Sequence, residues 1–420
     1  MSSPDPELAG SELAGNWTLQ PGLSFLNHGS FGACPRPVLD LQQQLRAELE
    51  EQPVEFFVRR LPDRLDAARE RLADFLGADP EDLVVVPNAT AGVNTVLRSL
   101  LAASASEPTW EAGDELLTTD HAYNACRNAL EFVARGAGAR VRVATVPFPL
   151  EDPQQVVDTV LGAVTERTRL VLLDHITSPT GLVFPLEQLV RALDARGIDT
   201  LVDGAHAPGM LDLDLDALGA AYYTGNCHKW PCAPKGAAFL HVRRDRQDGI
   251  EPLSISHGAN VRRAGRSRFH DAFDWTGTDD PTAFLCVPKA LETVAALVPG
   301  GWPEVRRRNR ELALAARRHL CAALEVGEPS PESMIGSLAA VPLPDRPQEE
   351  ASAGALYTSA LQQKLLQEHH IEVPIVPWPA PPHRLVRISA QLYNTEEQYR
   401  HLARALVEEL SEEAGSVEGR

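Results

Sequence analysis

Along the middle of the chain, short apolar runs take turns with longer stretches in which apolar residues recur at helical spacing. This pattern predicts alternating strands and helices. Short apolar runs rich in β-branched residues predict strands, and longer stretches with apolar residues at helical spacing predict helices. The predicted strands span 83–86, 115–118, 141–146, 170–174, 199–203 and 221–224, and the predicted helices between them span 91–101, 122–134, 153–164 and 186–195. This alternation is typical of an α/β fold with a parallel sheet covered by helices.

The regular alternation ends near residue 280. An apolar strand at 236–242 has no helix after it, which predicts antiparallel pairing or an edge position. Beyond it the pattern predicts helices at 283–298 and 303–324, strands at 337–341, 372–376 and 385–389, a Pro- and Glu-rich loop at 342–353 and a last helix from 395 to 410. We therefore expect a disordered leader at 1–20, an N-terminal segment at 21–54 packing with the small domain, a large domain at 55–280 and a small α+β domain at 281–420.

Composition and charge narrow the class of protein. The 420 residues are 44% hydrophobic and 23% charged, which is typical of globular proteins. The net charge of -19 argues against nucleic acid or an anionic membrane as partner. The first residues are acidic and lack the apolar core of a signal peptide, so we expect a cytoplasmic protein. Six scattered cysteines suit reduced thiols: Cys34, Cys126, Cys227, Cys232, Cys286 and Cys321.

The carboxyl ends of the predicted strands carry the candidate chemistry, because open parallel sheets bind ligands at that edge. After the first strand, Ala89 and Thr90 lead into a helix whose N-terminus could bind a phosphate, although a Thr there is also an ordinary N-cap. After the second strand, His121 and Tyr123 provide rings that could stack on a flat ligand. After the fourth strand, Ser178 lies in a hydroxyl-rich turn.

A carboxylate and a lysine follow the next two strands. Asp203 ends the apolar run TLVD, and a buried carboxylate is costly unless a cation or several donors meet it. A protonated heterocyclic nitrogen would be such a partner. Lys229 follows the sixth strand and could form an imine with an aldehyde. Together with a phosphate site and an aromatic ring, these are the groups that pyridoxal 5′-phosphate requires.

Four motifs strengthen this interpretation: NATAGVN at 88–94, DHAYNA at 120–125, DGAHAPG at 203–209 and GNCHKW at 225–230. The chain resembles the class V aminotransferase family of fold-type I pyridoxal-phosphate enzymes, and within it the isopenicillin N epimerase-like group. The stretches LNHGSFGACP, HITSPTGLVFP and VRISAQLYNTEEQ are similar to that group as well. The resemblance spans roughly residues 26–410. It implies a large domain with a mostly parallel, seven-stranded type of sheet and a smaller α+β domain.

For the cofactor ring, the resemblance implies a role for each of five residues. Lys229 would hold the cofactor as a Schiff base, and Asp203 would face the pyridine nitrogen. His206 occupies the position that contacts the phenolic oxygen. His121 occupies the position that stacks on the ring, a role that Tyr123 could share or take.

For the phosphate and the substrate, the resemblance implies a second set of residues. Ala89, Thr90 and His228 would hold the phosphate, joined by Thr278 from the neighbouring subunit of a homodimer that shares its active sites. Ser178 stands where many relatives have an asparagine near the cofactor. Arg387 matches the arginine that binds the α-carboxylate of an amino-acid substrate, and a bidentate guanidinium suits that task. Asn27 and Gly29 would close over this substrate.

The family contains several reactions, and the sequence argues against one of them. Desulfurases need a cysteine shortly before the substrate-binding arginine, and residues 369–385 contain none. Epimerisation remains, with Tyr123, His28 or a water-linked group as the candidate second acid/base opposite Lys229. A C–S lyase acting on a cysteine conjugate or sulfoxide, and an aminotransferase, also remain.

From another class, a metal-dependent hydrolase would have to use His121, Asp203, His206 and His228. These residues lack an H-E-x-x-H or similar spacing. The sequence thus predicts no metal in this site.

Overall fold

The structure is a computed structural model that describes residues 9–102, 110–345 and 359–418. Its strands are β1 (Ser24–Phe25), β2 (Leu83–Val86), β3 (Glu115–Thr119), β4 (Arg140–Ala144), β5 (Thr168–Asp174), β6 (Asp199–Asp203), β7 (Tyr222–Asn226), β8 (Ala238–Val242), β9 (Leu338–Leu343), β10 (Ile371–Glu372), β11 (Ile375–Pro377) and β12 (Arg384–Ser389).

The α-helices of the described residues are likewise numbered along the chain. They are α1 (His28–Phe31), α2 (Arg36–Glu51), α3 (Leu61–Leu76), α4 (Ala89–Ala102), α5 (Asn124–Ala137), α6 (Gln154–Ala163), α7 (Leu186–Asp194), α8 (Leu215–Leu218), α9 (Arg268–Phe273), α10 (Thr282–Leu285), α11 (Val287–Ala296), α12 (Gly301–Ala323), α13 (Ala360–Gln367) and α14 (Glu396–Glu418).

Seven strands form the central sheet, in the order β2-β8-β7-β6-β5-β3-β4. The pairs from β7 to β4 are all parallel, and β8 is antiparallel to both of its neighbours. The α/β class with a mostly parallel, seven-stranded sheet is therefore confirmed. The sequence predicts that the strand at 236–242 pairs antiparallel or lies at the edge of the sheet, and it pairs antiparallel. It lies inside the sheet because it joins β2 to β7.

The central strands are apolar throughout because helices cover both faces of the sheet. In β5, Leu170 and Leu172 face one hydrophobic cluster, whereas Val171 and Leu173 face another. All four side chains are almost completely buried. Successive side chains thus point to opposite faces of the sheet, but both faces are apolar. These strands therefore appear in the sequence as continuous apolar runs.

The C-terminal part contains the three-stranded antiparallel sheet β11-β12-β9, with α12 and α14 packed together beside it. β1 pairs in parallel with β10, so the N-terminal segment adds a strand there. However, Ala290 and Leu291 of α11 are buried in the same cluster as Leu65 of α3, on the side of the large sheet. The proposed domain limits stay a prediction.

Residues 9–20 differ from the disordered leader that the composition predicts. Trp17 is only 2% exposed, and its ring meets the ring of Tyr393 edge-on at 5.1 Å. The Ser11 hydroxyl donates to the Leu392 carbonyl at 2.6 Å. The buried Trp17 side chain anchors this segment. The sequence does not reveal this anchor, because the acidic residues around Trp17 predict disorder. Residues 1–8 lie outside the described residues, as does most of the predicted loop at 342–353.

Within the described ranges, none of the helices taken singly has both the length and the apolar composition of a membrane span. The bent pair Thr282–Ala296 and Gly301–Ala323 meets those two measures only when taken together.

Helix α4 lies close against β7, and Gly92 makes this approach possible. A Cβ atom at Gly92 would overlap the hydroxyl and Cβ of Thr224. We expect Gly92→Ala to lower the free energy of unfolding by about 1–3 kcal/mol, because the helix must move away from the sheet. The urea midpoint of unfolding measures this effect.

Gly162→Ala is the matched control, since nothing lies within 4 Å of a Cβ at this position in α6. Alanine should leave stability there unchanged or raise it by up to about 1 kcal/mol, because it favours the helix more than glycine does. Equal midpoints for the two variants would contradict the close approach of α4 to β7.

Candidate active site

The carboxyl ends of four neighbouring strands bring the candidate residues to one edge of the sheet. Lys229 follows β7, Asp203 ends β6, Asp174 ends β5 and Tyr123 follows β3, and these strands are adjacent in that order. Asp174 lies opposite Asp203 in the register of the parallel pair. The topology thus collects residues that are up to a hundred positions apart in the chain, as the rule for open parallel sheets predicts.

The amine of Lys229 lies 3.1 Å from Nε2 of His206. The pKa of Lys229 is lowered to about 7, chiefly by burial, with Asp203 raising it and the positive charge of Arg387 adding to the decrease. Burial also holds the pKa of His206 well below its usual value, so its ring is neutral. Nδ1 of His206 is buried without a hydrogen-bond partner among the described residues. A neutral amine beside a neutral imidazole can act as nucleophile or base near neutral pH.

Asp203 is 3% exposed and accepts two hydrogen bonds. Its Oδ1 accepts from the Ala205 N–H at 3.0 Å, and its Oδ2 accepts from the Cys126 thiol at 3.0 Å. Burial and the charge of Asp203 raise the pKa of Cys126, which therefore stays a protonated donor. Both donors are neutral, so a protonated pyridine nitrogen would still compensate the cost of burying this carboxylate.

Asp174 is a residue that the sequence reasoning missed. It is 3% exposed, and its Oδ1 accepts from the Tyr123 N–H at 3.3 Å. Burial, followed by the charge of Asp203, raises the pKa of Asp174 well above its usual value. Two adjacent buried carboxylates resist double ionisation, so Asp174 holds a proton more readily than an exposed aspartate does. The signal was present, because LVLLD ends in a carboxylate just as TLVD does.

The N-terminus of α4 is capped by Asn88 rather than by Thr90. Oδ1 of Asn88 accepts from the Ala91 N–H at 2.8 Å. The Thr90 hydroxyl is thus not needed as the cap, and it lies in the first helical turn, where N–H groups lack intrahelical partners. The amide of Ala89 instead donates to Oδ1 of Asn226 at 2.9 Å, another residue that the sequence reasoning missed. Of the two predicted phosphate contacts on α4, Thr90 fits better than the Ala89 amide.

His228 lies next to Lys229 and is half-buried. Its Nδ1 lies 3.1 Å from the Ala237 carbonyl, so this nitrogen donates, and Nε2 is the one left for a ligand. Burial lowers the pKa of His228 to about 4. Thr278 is exposed in the loop after α9. Its place in a neighbouring subunit's site stays a prediction.

Arg387 on β12 is 5% exposed and is held by helix α1 and by the turn at Ser178. Its Nη1 donates to the Ser178 carbonyl at 2.7 Å and to the Ser178 hydroxyl at 3.2 Å. Its Nη2 donates to the Ser30 hydroxyl at 2.9 Å. Ser178 therefore contacts the predicted carboxylate-binding arginine, although the sequence resemblance had placed it near the cofactor. Ser30 had not been identified.

Asn27 and Gly29 complete this side of the site. Oδ1 of Asn27 accepts from the Ser30 hydroxyl at 2.5 Å, and the Gly29 N–H donates to the Ser389 hydroxyl at 3.0 Å. Leu338, Ser389 and His206 all lie within 4 Å of a Cβ built on Gly29. The short helix α1 thus packs directly over the region between Arg387 and His206, as its predicted closing role requires.

His121 does not face this region. Its ring is completely buried, with Nδ1 2.8 Å from the Thr180 hydroxyl and Nε2 3.0 Å from the Val146 carbonyl. Trp378 lies against it with ring centroids 4.6 Å apart. A ring that stacks on a cofactor has to present one face to the cavity, and His121 presents none. Tyr123, whose surface is 40% exposed, is the better candidate of the two.

His28 does not suit the role of a second acid/base. Its Nδ1 lies 2.8 Å from the Tyr393 hydroxyl and its Nε2 lies 3.0 Å from the Lys229 carbonyl. Burial lowers the pKa of His28 to about 3, so the ring is neutral at physiological pH. His28 therefore supports the backbone of the Lys229 turn and does not face the α-carbon of a substrate.

The alternative of a hydrolytic metal site is not supported. In the described part of the chain, His121, Asp203, His206 and His228 do not bring three ligand atoms together. Instead, the groups at this edge fit pyridoxal phosphate: an amine that could form an imine, a buried carboxylate that could face the ring nitrogen, an unpartnered imidazole nitrogen and a helix N-terminus. The fit rests on the geometry of this edge of the sheet.

Known proteins are similar to this chain over nearly its whole length. The family model described as Aminotransferase class-V matches residues 34–402. The chain is 38% identical over 403 residues to the isopenicillin N epimerase of Amycolatopsis lactamdurans, covering 93% of this chain and 96% of that protein. It is 30% identical over 400 residues to a probable chloroplastic L-cysteine desulfhydrase of Arabidopsis thaliana, covering 92% and 82%.

Among solved structures, the chain is similar to a C-DES variant with glycine covalently linked to its PLP cofactor. The TM-score is 0.75 at 22% sequence identity, and the match covers 96% of this chain and 99% of the other. This likeness supports the same fold, with the small domain included.

The lowered pKa of Lys229 can be measured on the cofactor-free protein. A neutral amine reacts with trinitrobenzenesulfonate and a protonated one does not, so a lower pKa moves the rise in rate to lower pH. We expect the labelling rate of Lys229 to reach half its maximum near pH 7 and then level off. Labelling is quantified at each pH by peptide mass spectrometry.

Lys364 is the internal control, because the hydrogen bonds that its ammonium donates to the carboxylates of Glu409 and Glu412 raise its pKa above the ordinary value. Its labelling rate should still be rising at the highest pH tested. If Lys229 labelling instead reaches half its maximum near the ordinary lysine value of about 10.4, the amine is not in the desolvated environment described here.

Proposed function

The chain belongs to the class V aminotransferase family of pyridoxal-phosphate enzymes, and we propose that it epimerises the α-carbon of an amino-acid substrate. The observation that carries this proposal is the Lys229 amine, with its pKa near 7, between His206 and the buried carboxylate of Asp203. The 38% identity to an epimerase over nearly the whole chain supports it. A C–S lyase on a cysteine conjugate or sulfoxide is the alternative, followed by an aminotransferase.

Lys229 would hold pyridoxal phosphate, which when bound would supply an electron sink that makes the α-proton of an amino-acid substrate acidic. The neutral Lys229 amine can accept this proton on one face of the α-carbon and return it. Asp203 stabilises positive charge at the ring nitrogen. Arg387 would hold the α-carboxylate, and its hydrogen bonds to Ser178 and Ser30 fix the guanidinium before the substrate arrives.

Inversion needs a second proton donor on the face of the α-carbon opposite Lys229. We assign this role to Tyr123. In the sheet, β6 and β5 separate β7, which leads to Lys229, from β3, which leads to Tyr123. The predicted cofactor site at Asp203 therefore lies between the strand ends that lead to Lys229 and to Tyr123, so these two groups could reach a bound substrate from different sides. The Tyr123 N–H bond to Asp174 supports this position, because it draws the start of α5 towards the ends of β5 and β6.

The C–S lyase alternative has its own support. Desulfhydrases are among the relatives at 30% identity, and removal of the α-proton by Lys229 would begin that reaction as well. Persulfide chemistry of the desulfurase kind is disfavoured, since all six cysteines are buried. The two remaining reactions differ in what happens after proton removal: return of the proton, or loss of a β-sulfur group.

Incubation of the holoenzyme with L-amino acids in deuterated water separates these reactions. The panel includes L-cysteine and L-cystine. We expect solvent deuterium at the α-carbon together with formation of the D-enantiomer, detected by mass spectrometry and chiral chromatography. Lys229→Ala should abolish both signals and also the borohydride-stable attachment of the cofactor. Pyruvate and a released sulfur product without any inversion would contradict the epimerase proposal and favour the lyase.

The role of Tyr123 is tested by Tyr123→Phe. Loss of the phenol should slow inversion by about 10²–10⁴-fold, the usual effect of removing a general acid or base. Lys229 should still exchange the α-proton for deuterium with retention of configuration, and cofactor affinity should change little because phenylalanine still stacks. Tyr123→Ala should in addition weaken cofactor binding. Unimpaired inversion in Tyr123→Phe would leave Tyr123 with stacking alone.

A further inference from the structure

A second cluster of ionisable side chains lies at the opposite edge of the central sheet. It consists of Asp82, Asp216 and His241, and we call it the amino-edge cluster. Asp82 directly precedes β2, and Asp216 belongs to α8, which precedes β7. β8 runs antiparallel to both strands, and His241 near its end pairs with Leu83 and Tyr223. Lys229 follows the other end of β7, so this cluster is separate from the active site.

His241 is the unexplained member of the cluster. Its side chain is 97% buried, yet neither ring nitrogen has a hydrogen-bond partner among the described residues. The nearest carboxylate oxygen, Oδ1 of Asp216, is 3.6 Å from Nε2, which is too far for a good hydrogen bond. A buried imidazole without a hydrogen-bond partner is costly, and its free ring nitrogens are the atoms that bind metals.

The two carboxylates are placed to share a ligand with this imidazole. The ligand atoms of all three residues lie within 4.8 Å of one another. Asp82 is 8% exposed, and its Oδ1 accepts from Arg244 Nε at 2.5 Å and from Gln247 Nε2 at 2.7 Å. Those bonds fix the carboxylate and leave Oδ2 for another partner. Asp216 is 53% exposed, so its carboxylate can turn inward and provide a path from solvent.

The local charge also favours a cation. Three carboxylates, those of Asp79, Asp82 and Asp216, act on His241. Arg244 forms ion pairs with two of them, Asp79 at 3.1 Å and Asp82 at 2.5 Å. One guanidinium therefore faces three acids, in a chain that already carries a net charge of -19. A divalent ion would balance this excess and give Asp216 a partner.

We propose that Asp82, Asp216 and His241 bind one divalent transition-metal ion of the Zn²⁺ type, with water completing the shell. One imidazole with two carboxylates is a ligand set that zinc accepts, whereas an imidazole donor disfavours Mg²⁺ and Ca²⁺. Tetrahedral zinc needs ligand atoms about 3.3 Å apart, so the three ligand atoms, which lie within 4.8 Å of one another, would close around the ion by rotation of the exposed Asp216 side chain and a small shift of Asp82 towards His241. The ion would clamp the residue before β2, helix α8 and strand β8 together, and so stabilise this edge of the sheet.

The test titrates ZnCl₂ into the chelator-treated, dialysed holoenzyme. Isothermal titration calorimetry should give one tight site per chain, and the thermal midpoint should rise with zinc because the ion binds only the folded chain. The same concentrations of MgCl₂ should not raise it. Asp216→Asn should weaken zinc binding by ~10-fold or more and remove the midpoint shift, because even the loss of a group outside the ligand set typically costs ~10–100-fold in metal affinity.

Asp74→Asn is the matched control, since Asp74 is also an exposed helical aspartate, 71% accessible on α3. It should bind zinc as the wild type does. If Asp216→Asn is not folded without metal, His241→Gln takes its place with the same expectation. Equal zinc affinity in the cluster variant and the control would overturn the proposal, and so would a wild-type protein that binds no zinc.

Discussion

The site depends on one constraint, namely that a lysine amine is kept in a desolvated position at the carboxyl edge of a parallel sheet. Burial lowers the pKa of Lys229 to about 7, so a large fraction of the amine is neutral near neutral pH and can act as a base. The neighbouring groups keep this balance. His206 stays neutral beside the amine, Arg387 repels a proton, and Asp203 attracts one. A more exposed lysine at the same position would remain protonated, and this chemistry would be lost.

The two carboxylates at neighbouring strand ends, Asp203 and Asp174, have different roles. Asp203 receives hydrogen bonds on both oxygens and can meet a cationic ring nitrogen. Asp174, one strand away, has a raised pKa and holds the start of α5 through the Tyr123 N–H. Asp203 would thus stabilise the cofactor's ring nitrogen, and Asp174 positions Tyr123. On the other side, Ser30 and Ser178 hold Arg387, so both ends of a substrate would meet preorganised groups.

The same sheet concentrates charge at both of its edges, with different outcomes. At the carboxyl edge, Lys229 and Arg387 lie close to the carboxylates of Asp203 and Asp174. At the amino edge, Asp82 and Asp216 surround an imidazole that has no hydrogen-bond partner among the described residues. The strongly negative chain therefore binds its cofactor through local geometry, and its excess of acids is available for a cation elsewhere.

The sequence by itself determined the α/β class, the strand positions within a few residues, and the groups that follow each strand, because apolar runs and their polar ends are local features. It could not decide which of His121 and Tyr123 faces the cavity, because that depends on Thr180, Val146 and Trp378, which are distant in the chain. Nor could it show that Asn88, not Thr90, caps α4, or that Trp17 anchors the leader. Burial and hydrogen-bond partners arise only when distant segments pack. They determine the pKa of Lys229 and which of the His121 and Tyr123 rings faces the site.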